Sequence, residues 1–461
     1  FADGSTGHTF TGNTATGNSL GDIVTVTWVS GNWIWLHDGL TSASPTGPFT
    51  ISGSGGSDCT QIGNWEQSSK TCTLTTDISS TSSGIIVEGN GVTIDGAGHI
   101  LNGTGAGAAQ DDWGVDVRFR DNFTIKNLVI DGFGVGIRAS NTPSFGIITG
   151  NTITSNVVDG IYTEGSMGIP NSHGPVEITN NIITSNGRNG ITISNSSVDS
   201  GDADCSGANH AIVKQNTISS NAVYGLEVFG AQKICFAENT VNGNGNDGFR
   251  IGPSPNNILT GNTMSGNGDN GIRITSGSDG NTISSNTLDN NGIQCSGSDY
   301  NTITGNTISN VVGTSSMSLG TCDNNTISNN QITNGVYGLE VNTSHNNIID
   351  SNTFTGNTCS TGAGTVCGTG LRLLGATGNT ITNNISNNNA QFGFNIVAGS
   401  TGNTLTDNTA NNNGNTANSQ YGFGIHVDVT GNTMSGNVAS GNGCSGSSFS
   451  SCTNNSGDFG G

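Results

Sequence analysis

One short phrase constrains this chain more than any other feature. Gly150-Asn151-Thr152-Ile153-Thr154-Ser155-Asn156 recurs with small changes. Its Asn falls at Asn151, Asn181, Asn216, Asn239, Asn262, Asn281, Asn301, Asn325, Asn352, Asn379, Asn403 and Asn432, with steps of 19 to 35 residues that average about 25. A period of that size marks a solenoid. Within the phrase, polar and apolar residues alternate as in Thr152-Ile153-Thr154, which predicts a three- or four-residue strand with one side chain pointing inward. A second phrase follows about ten residues later: Asp159-Gly160-Ile161, Asn189-Gly190-Ile191, Tyr224-Gly225-Leu226, Asp247-Gly248-Phe249 and Asn270-Gly271-Ile272. It predicts a further strand of the same coil. Glycine there is expected to supply the positive φ of a tight corner. The Asn amides are expected to stack from coil to coil.

Composition matters because it permits a rival reading. Only 31% of the residues are hydrophobic and 9% charged, with 74 glycines, so disorder has to be weighed. The regular apolar spacing argues against it. A coil that buries a few Ile, Val, Leu or Phe and stacks on its neighbours needs no large globular core. With early coils at 85–101 and 123–137, the pattern predicts roughly 14 coils and a rod of about 65–70 Å. Three parts are expected: an N-terminal segment (1–22), a Trp-rich cap or interface region (23–84), and an all-β parallel β-helix (85–461).

Eleven Lys and Arg against 32 Asp and Glu leave a net charge of −21. That sign disfavours nucleic acid and anionic membrane surfaces as partners. No apolar run is long enough to span a bilayer. The ten cysteines fall into neighbouring couples: Cys59/Cys72, Cys205/Cys235, Cys295/Cys322, Cys359/Cys367 and Cys444/Cys452. There is no Cys-x-x-Cys and no cluster of His beside them, so disulfides and an oxidising, extracellular setting are expected rather than zinc. Other pairings remain open. Sequons such as Asn122-Phe123-Thr124, Asn195-Ser196-Ser197 and Asn342-Thr343-Ser344 arise readily by chance in so Asn/Thr-rich a chain.

The two phrases, with Val92-Thr93-Ile94-Asp95-Gly96 upstream, resemble the right-handed parallel β-helix repeats of the pectate-lyase-like superfamily. The likeness covers about 85–440. It implies the coil's handedness and admits several activities, among them pectin degradation, alginate epimerisation and maturation of nitrous oxide reductase. The Asp-Pro-His of the epimerases and the Gly-His-Gly of the polygalacturonases are absent. Arg273-Ile274-Thr275 lacks the Lys of the polygalacturonase Arg-Ile-Lys.

Two groups of residues could carry chemistry. Asp111, Asp112, Asp116 and Arg118, with Arg120 and Asp121, could bind calcium or act as acid and base on an acidic sugar. The competing reading is a solvated loop and strand. The second group is a column at one position per coil: Arg138, Tyr162, Thr192, Glu227, Arg250, Arg273, Gln294, Glu340, Arg372, Asn395 and, with one residue of slack, His426. It reads as a charge ladder, a glycan groove or a lateral contact strip. No cofactor is expected, with calcium left as an alternative.

The ends carry a further signal. Residues 4–15 match residues 399–410 at nine of twelve positions. Asp458-Phe459-Gly460-Gly461 resembles the corner Gln391-Phe392-Gly393-Phe394. The expectation is head-to-tail homopolymerisation, the N-terminal segment of one copy completing the solenoid of the next. Its interface would include Phe1, Thr9, Phe10, Thr11, Asn13, Phe459, Gly460 and Gly461, with Trp28, Trp33 and Trp35 beside it. The leading expectation is thus a structural subunit of an extracellular filament, sheath or surface layer. The alternatives are a secreted uronate lyase or epimerase and a glycan-binding adhesin.

Overall fold

The computed structural model describes residues 44–140, 145–165, 176–195, 205, 211–358, 367–397, 399–414, 423–427 and 429–442. It also describes the backbone of an antiparallel hairpin, Thr25–Val29 with Asn32–Leu36, in which Trp28 lies opposite Trp33. Phe1, Thr9, Phe10, Thr11, Asn13 and Phe459–Gly461 lie outside the described residues, as do Cys359, Cys444 and Cys452.

Among the described residues the chain winds through three long sheets in turn. Sheet 1 has 15 strands, from Phe49–Ile51 to Phe423–Val427. Sheet 2 has 16, from Gly63–Glu66 to Thr433–Ser435. Sheet 3 has 15, from Ile78–Ser79 to Val438–Ser440. Each strand pairs in parallel with its counterpart one coil on. The exception is the first strand of sheet 2, Gly63–Glu66, which runs antiparallel to Thr71–Leu74. Parallel pairing starts at Phe49, which stacks on Ile85, so it reaches into the 23–84 stretch expected as a cap.

The strands are short because each has one job. In a three-residue strand such as Thr302–Thr304, the central Ile303 is fully buried and its neighbours face outward. Stacked Ile, Leu, Val, Phe and Met fill the axis, each buried side chain contributing about 1.5–3 kcal/mol. That is how a chain with so few apolar residues assembles a continuous core.

Buried asparagines turn the corners. At the entry to sheet 3, Asn151, Asn181, Asn216, Asn239, Asn262, Asn286, Asn306, Asn330, Asn352, Asn384, Asn408 and Asn437 form one ladder. Each amide donates to the Oδ1 of the next, as from Asn306 to Asn330 at 3.0 Å. Each also holds a backbone carbonyl, as Asn306 Nδ2 holds Ile283 O. A separate ladder marks the entry to sheet 2: Asn257, Asn281, Asn301, Asn325, Asn347, Asn379, Asn403 and Asn432.

This corrects the repeat. The twelve Asn positions taken from the phrase belong to two ladders. Asn281, Asn301, Asn325, Asn379, Asn403 and Asn432 start sheet 2, whereas the other six start sheet 3. The phrase marks a corner, and a coil has two such corners in sequence, so one alignment slips between them. Glycine's expected role needs correction too. Gly225 and Gly248 are not at positive φ. A Cβ on Gly225 would meet Val241 Cγ1 at 2.4 Å and the Gly248 carbonyl at 2.7 Å, so glycine is required there for space. The left-handed positions are instead the residues just before the ladder Asn. These include Gln215, Glu238, Ser285 and Asp407, with φ of 57°, 55°, 55° and 54°.

Three expected disulfides are formed: Cys59–Cys72, Cys205–Cys235 and Cys295–Cys322. Cys367 is also disulfide-bonded. No described helix is long and apolar enough to cross a membrane.

Candidate functional site

The outward column of sheet 1 is continuous. In register, Asp116, Arg138, Tyr162, Thr192, Glu227, Arg250, Arg273, Gln294, Ser318, Glu340, Arg372, Asn395 and His426 lie one above another. Every residue assigned to the column from sequence is there. Ser318 fills the gap, Asp116 extends it by a coil, and His426 pairs with Asn395 without slack. The period-2 alternation of each strand is what makes them share a face.

Among the described residues, two ion pairs lie within the column. Arg372 Nη1 donates to Glu340 Oε1 at 3.0 Å, and Ser315 donates to the other oxygen of Glu340. Arg250 lies 3.7 Å from Glu227 and donates to the Tyr224 hydroxyl at 2.6 Å. Arg273 reaches Asp269 at 3.5 Å. The Glu340–Arg372 and Glu227–Arg250 pairs have the form of a cross-strand ladder, whereas Arg273 pairs with Asp269 within its own coil. Aromatic rings line the face along its length, with Trp113 and Tyr162 in its N-terminal coils. The Arg118 and Arg138 guanidinium groups lie 4.1 and 4.7 Å from the Trp113 ring centre. Burial, then the neighbouring Glu164, holds the Tyr162 hydroxyl above its usual pKa.

The structure disperses the acidic cluster seen in sequence. Asp111 is exposed in a turn, and Asp112 closes that turn by accepting from the Ala109 N–H. Asp116 is buried and clamps Arg118 with both oxygens. Arg120 bonds the Val87 carbonyl, and Asp121 bonds Asn90 on the preceding coil. Alternation along the strand and the following turn sends these side chains to different neighbours. No group of three or more His, Cys, Asp and Glu that could hold a metal ion occurs among the described residues. That gives calcium no support there.

Sequence reasoning missed the buried corner acids. Asp159 is fully buried and held by Arg188. This bond keeps the Arg188 guanidinium protonated beyond its usual range. Asp247 occupies the same corner position. One Oδ of Asp247 accepts from Asn270, while Oδ2 has no hydrogen-bond partner, nor has Arg273 Nε. Burial pushes the Asp247 carboxyl above its ordinary pKa, and the nearby Asp269 adds to this. The signal was present in Asp159-Gly160, Asn189-Gly190, Tyr224-Gly225 and Asp247-Gly248, where Asp, Asn and Tyr share the position before the corner Gly.

A disulfide-stapled, three-sheet parallel coil with asparagine corners defines a class of β-solenoids. The chain belongs to the right-handed β-helix family: the model described as "Right handed beta helix region" matches residues 203–317 and 291–457, more than half of the chain. A second model, "Periplasmic copper-binding protein (NosD)", matches residues 49–203. The described residues there do not fit a copper centre, because Cys59 and Cys72 are bonded to each other and no three His, Cys, Asp or Glu side chains come together there.

Among solved structures, the A-module of mannuronan C-5 epimerase AlgE6 from Azotobacter vinelandii is similar in fold. It has 16% identity and a TM-score of 0.50, over 77% of this chain and 90% of that one. The A-module of AlgE4 from the same organism gives 13%, 0.45, 79% and 88%. The catalytic unit of a GH87 α-1,3-glucanase from Streptomyces thermodiastaticus gives 12%, 0.43, 85% and 61%. No curated protein sequence matches the chain.

Proposed function

We propose that the protein is a structural subunit of an extracellular filament, sheath or surface layer, joined head to tail by coil donation. One observation carries the reading: residues 4–15 spell the same coil segment as residues 399–410. In that segment Thr404-Leu405-Thr406 pairs with Thr433-Met434-Ser435, and Thr409-Ala410 with Val438-Ala439. By this alignment, Thr9-Phe10-Thr11 of a second copy would add to sheet 2 beyond Thr433–Ser435, and Asn13 would extend the ladder from Asn437. One principle supports it: an unpaired strand is a template for another chain.

Electron microscopy of the full chain and of a form lacking residues 1–20 tests the proposal. Filaments from the first and none from the second are expected, with unchanged circular dichroism. If both forms stay monomeric at high concentration, the reading fails.

A second reading rests on the aromatic rings along sheet 1. Guanidinium groups beside Trp113, Tyr162 and Tyr224 form a surface suited to sugar rings and uronate carboxylates. The epimerase to which the fold is similar is named for acting on mannuronan, a uronate polymer. Binding of such polymers that is lost in Trp113→Ala would favour this reading. Release of unsaturated products, lost in Asp116→Ala or Arg118→Ala, would favour a lyase.

A further inference from the structure

The outward face of sheet 3 carries the fewest charges of the three; the first outward column of sheet 2 is also rich in Ile and Thr but is broken by Glu177 and by the buried Cys235. The first column of sheet 3 runs in register from Ile100 to Val438. Thirteen of its fourteen positions are Ile, Val or Thr, and Gln331 is the fourteenth. These side chains point outward, with Ile182 50% and Ile385 42% exposed. The second column, two residues on in each strand, is Ser, Thr and Asn apart from Asp131 and Asp289. Sheet 1 carries the arginine ladder. Sheet 2 carries Asp95, Lys126, Glu177, Lys214 and Asp350 on its outer face. Sheet 3 is therefore the least charged side of a chain whose net charge is −21.

Among the described residues, one border of this face is made of short connections. From Lys126 onward, two residues separate each described strand of sheet 2 from the next strand of sheet 3. The longer connections, including 166–175, 196–204 and 359–366, all belong to the other two corners.

We infer that this ridge is a lateral docking strip for a second copy of the chain. Two rods of the same strong negative charge repel, and they approach at least cost through an uncharged side. Flat, in-register rows of β-branched side chains interdigitate between facing sheets about 10 Å apart. Thirteen coil steps at about 4.8 Å give a strip of about 62 Å. With two side-chain columns it is about 11 Å wide, or roughly 700 Å² per copy, close to the roughly 800 Å² per partner of a stable interface. The inference is independent of head-to-tail joining: it describes rods side by side and holds for a single rod as for a filament.

Sedimentation velocity on the full chain over a range of concentrations tests it. A dimer is expected that strengthens as salt rises, since added ions screen the repulsion. The double variant Thr263→Asp/Thr287→Asp is expected to weaken dimerisation at least tenfold. The matched pair on sheet 2, Thr302→Asp/Thr326→Asp, leaves it unchanged. Thermal melts confirm that both variants fold. Deleting residues 1–20 leaves the lateral dimer intact, which separates this contact from end-to-end joining. A chain that is monomeric throughout overturns the inference. So does a dimer insensitive to the sheet 3 variant or equally sensitive to the sheet 2 variant. A full chain that stays monomeric alone but binds a neutral glycan through sheet 3 also overturns it.

Discussion

At the scale of the residue, asparagine does in this fold what backbone alone does elsewhere. One amide receives a backbone N–H and an amide N–H from the coil before it, and donates to a carbonyl and to the next Asn. Asn286 N and Nδ2 both donate to Asn306 Oδ1, for instance. The corner before sheet 1 runs the other way: Asn189 accepts from Tyr224 N of the following coil and donates to Thr192 and Glu227, and an aspartate there can only accept. Asp247 accepts from Asn270, while its second oxygen is buried without a hydrogen bond, 4.0 Å from Arg273 Nη1. A carboxyl whose folded-state pKa is raised destabilises the fold wherever it must ionise. The penalty is absent below the unfolded value of about 3.9 and fully present once pH exceeds the raised folded value. Asp247→Asn, the residue found at the equivalent Asn189, is therefore expected to raise the melting temperature at pH 7. The gain shrinks to nothing near pH 3, as melts at several pH values would show.

At the scale of the element, three-residue strands work only because their corners are tight. Close approach and left-handed backbone are demanded at different places, which gives a paired prediction. Gly225→Ala drives a methyl into the Gly248 carbonyl and Val241, and is expected to cost about 1–3 kcal/mol in denaturant melts. Gly243 sits at φ 61° with nothing within 4 Å of its missing Cβ. Gly243→Asn is expected to change stability by less than about 0.5 kcal/mol, because Asn tolerates that backbone region. Strand length and the inward residue were legible in the Thr-Ile-Thr alternation. Which corner a phrase belonged to was not, because both corners use the same residues for the same hydrogen bonds.

At the scale of the whole molecule, each coil touches only its neighbours, so stability is nearly a sum over repeats. Removing Asn262–Ser285 excises one full coil and joins Gly261 to Asn286, the same kind of corner. The shortened chain is expected to fold with a melting temperature within about 5 °C of the parent. By itself the sequence determined the parallel coil, its apolar axis, its Asn corners and the arginine column, because all of these are local patterns repeated in step. The three disulfides that can be followed through both cysteines pair as their neighbouring positions suggested. Only the tertiary structure decided where one coil ends and the next begins, since that depends on which strands hydrogen-bond across 20 to 35 residues. It also dispersed Asp111, Asp112, Asp116 and Arg118 among separate partners, and left the outer face of sheet 3 almost free of charge. Those outcomes follow from side-chain direction and stacking register, which no single stretch of chain contains.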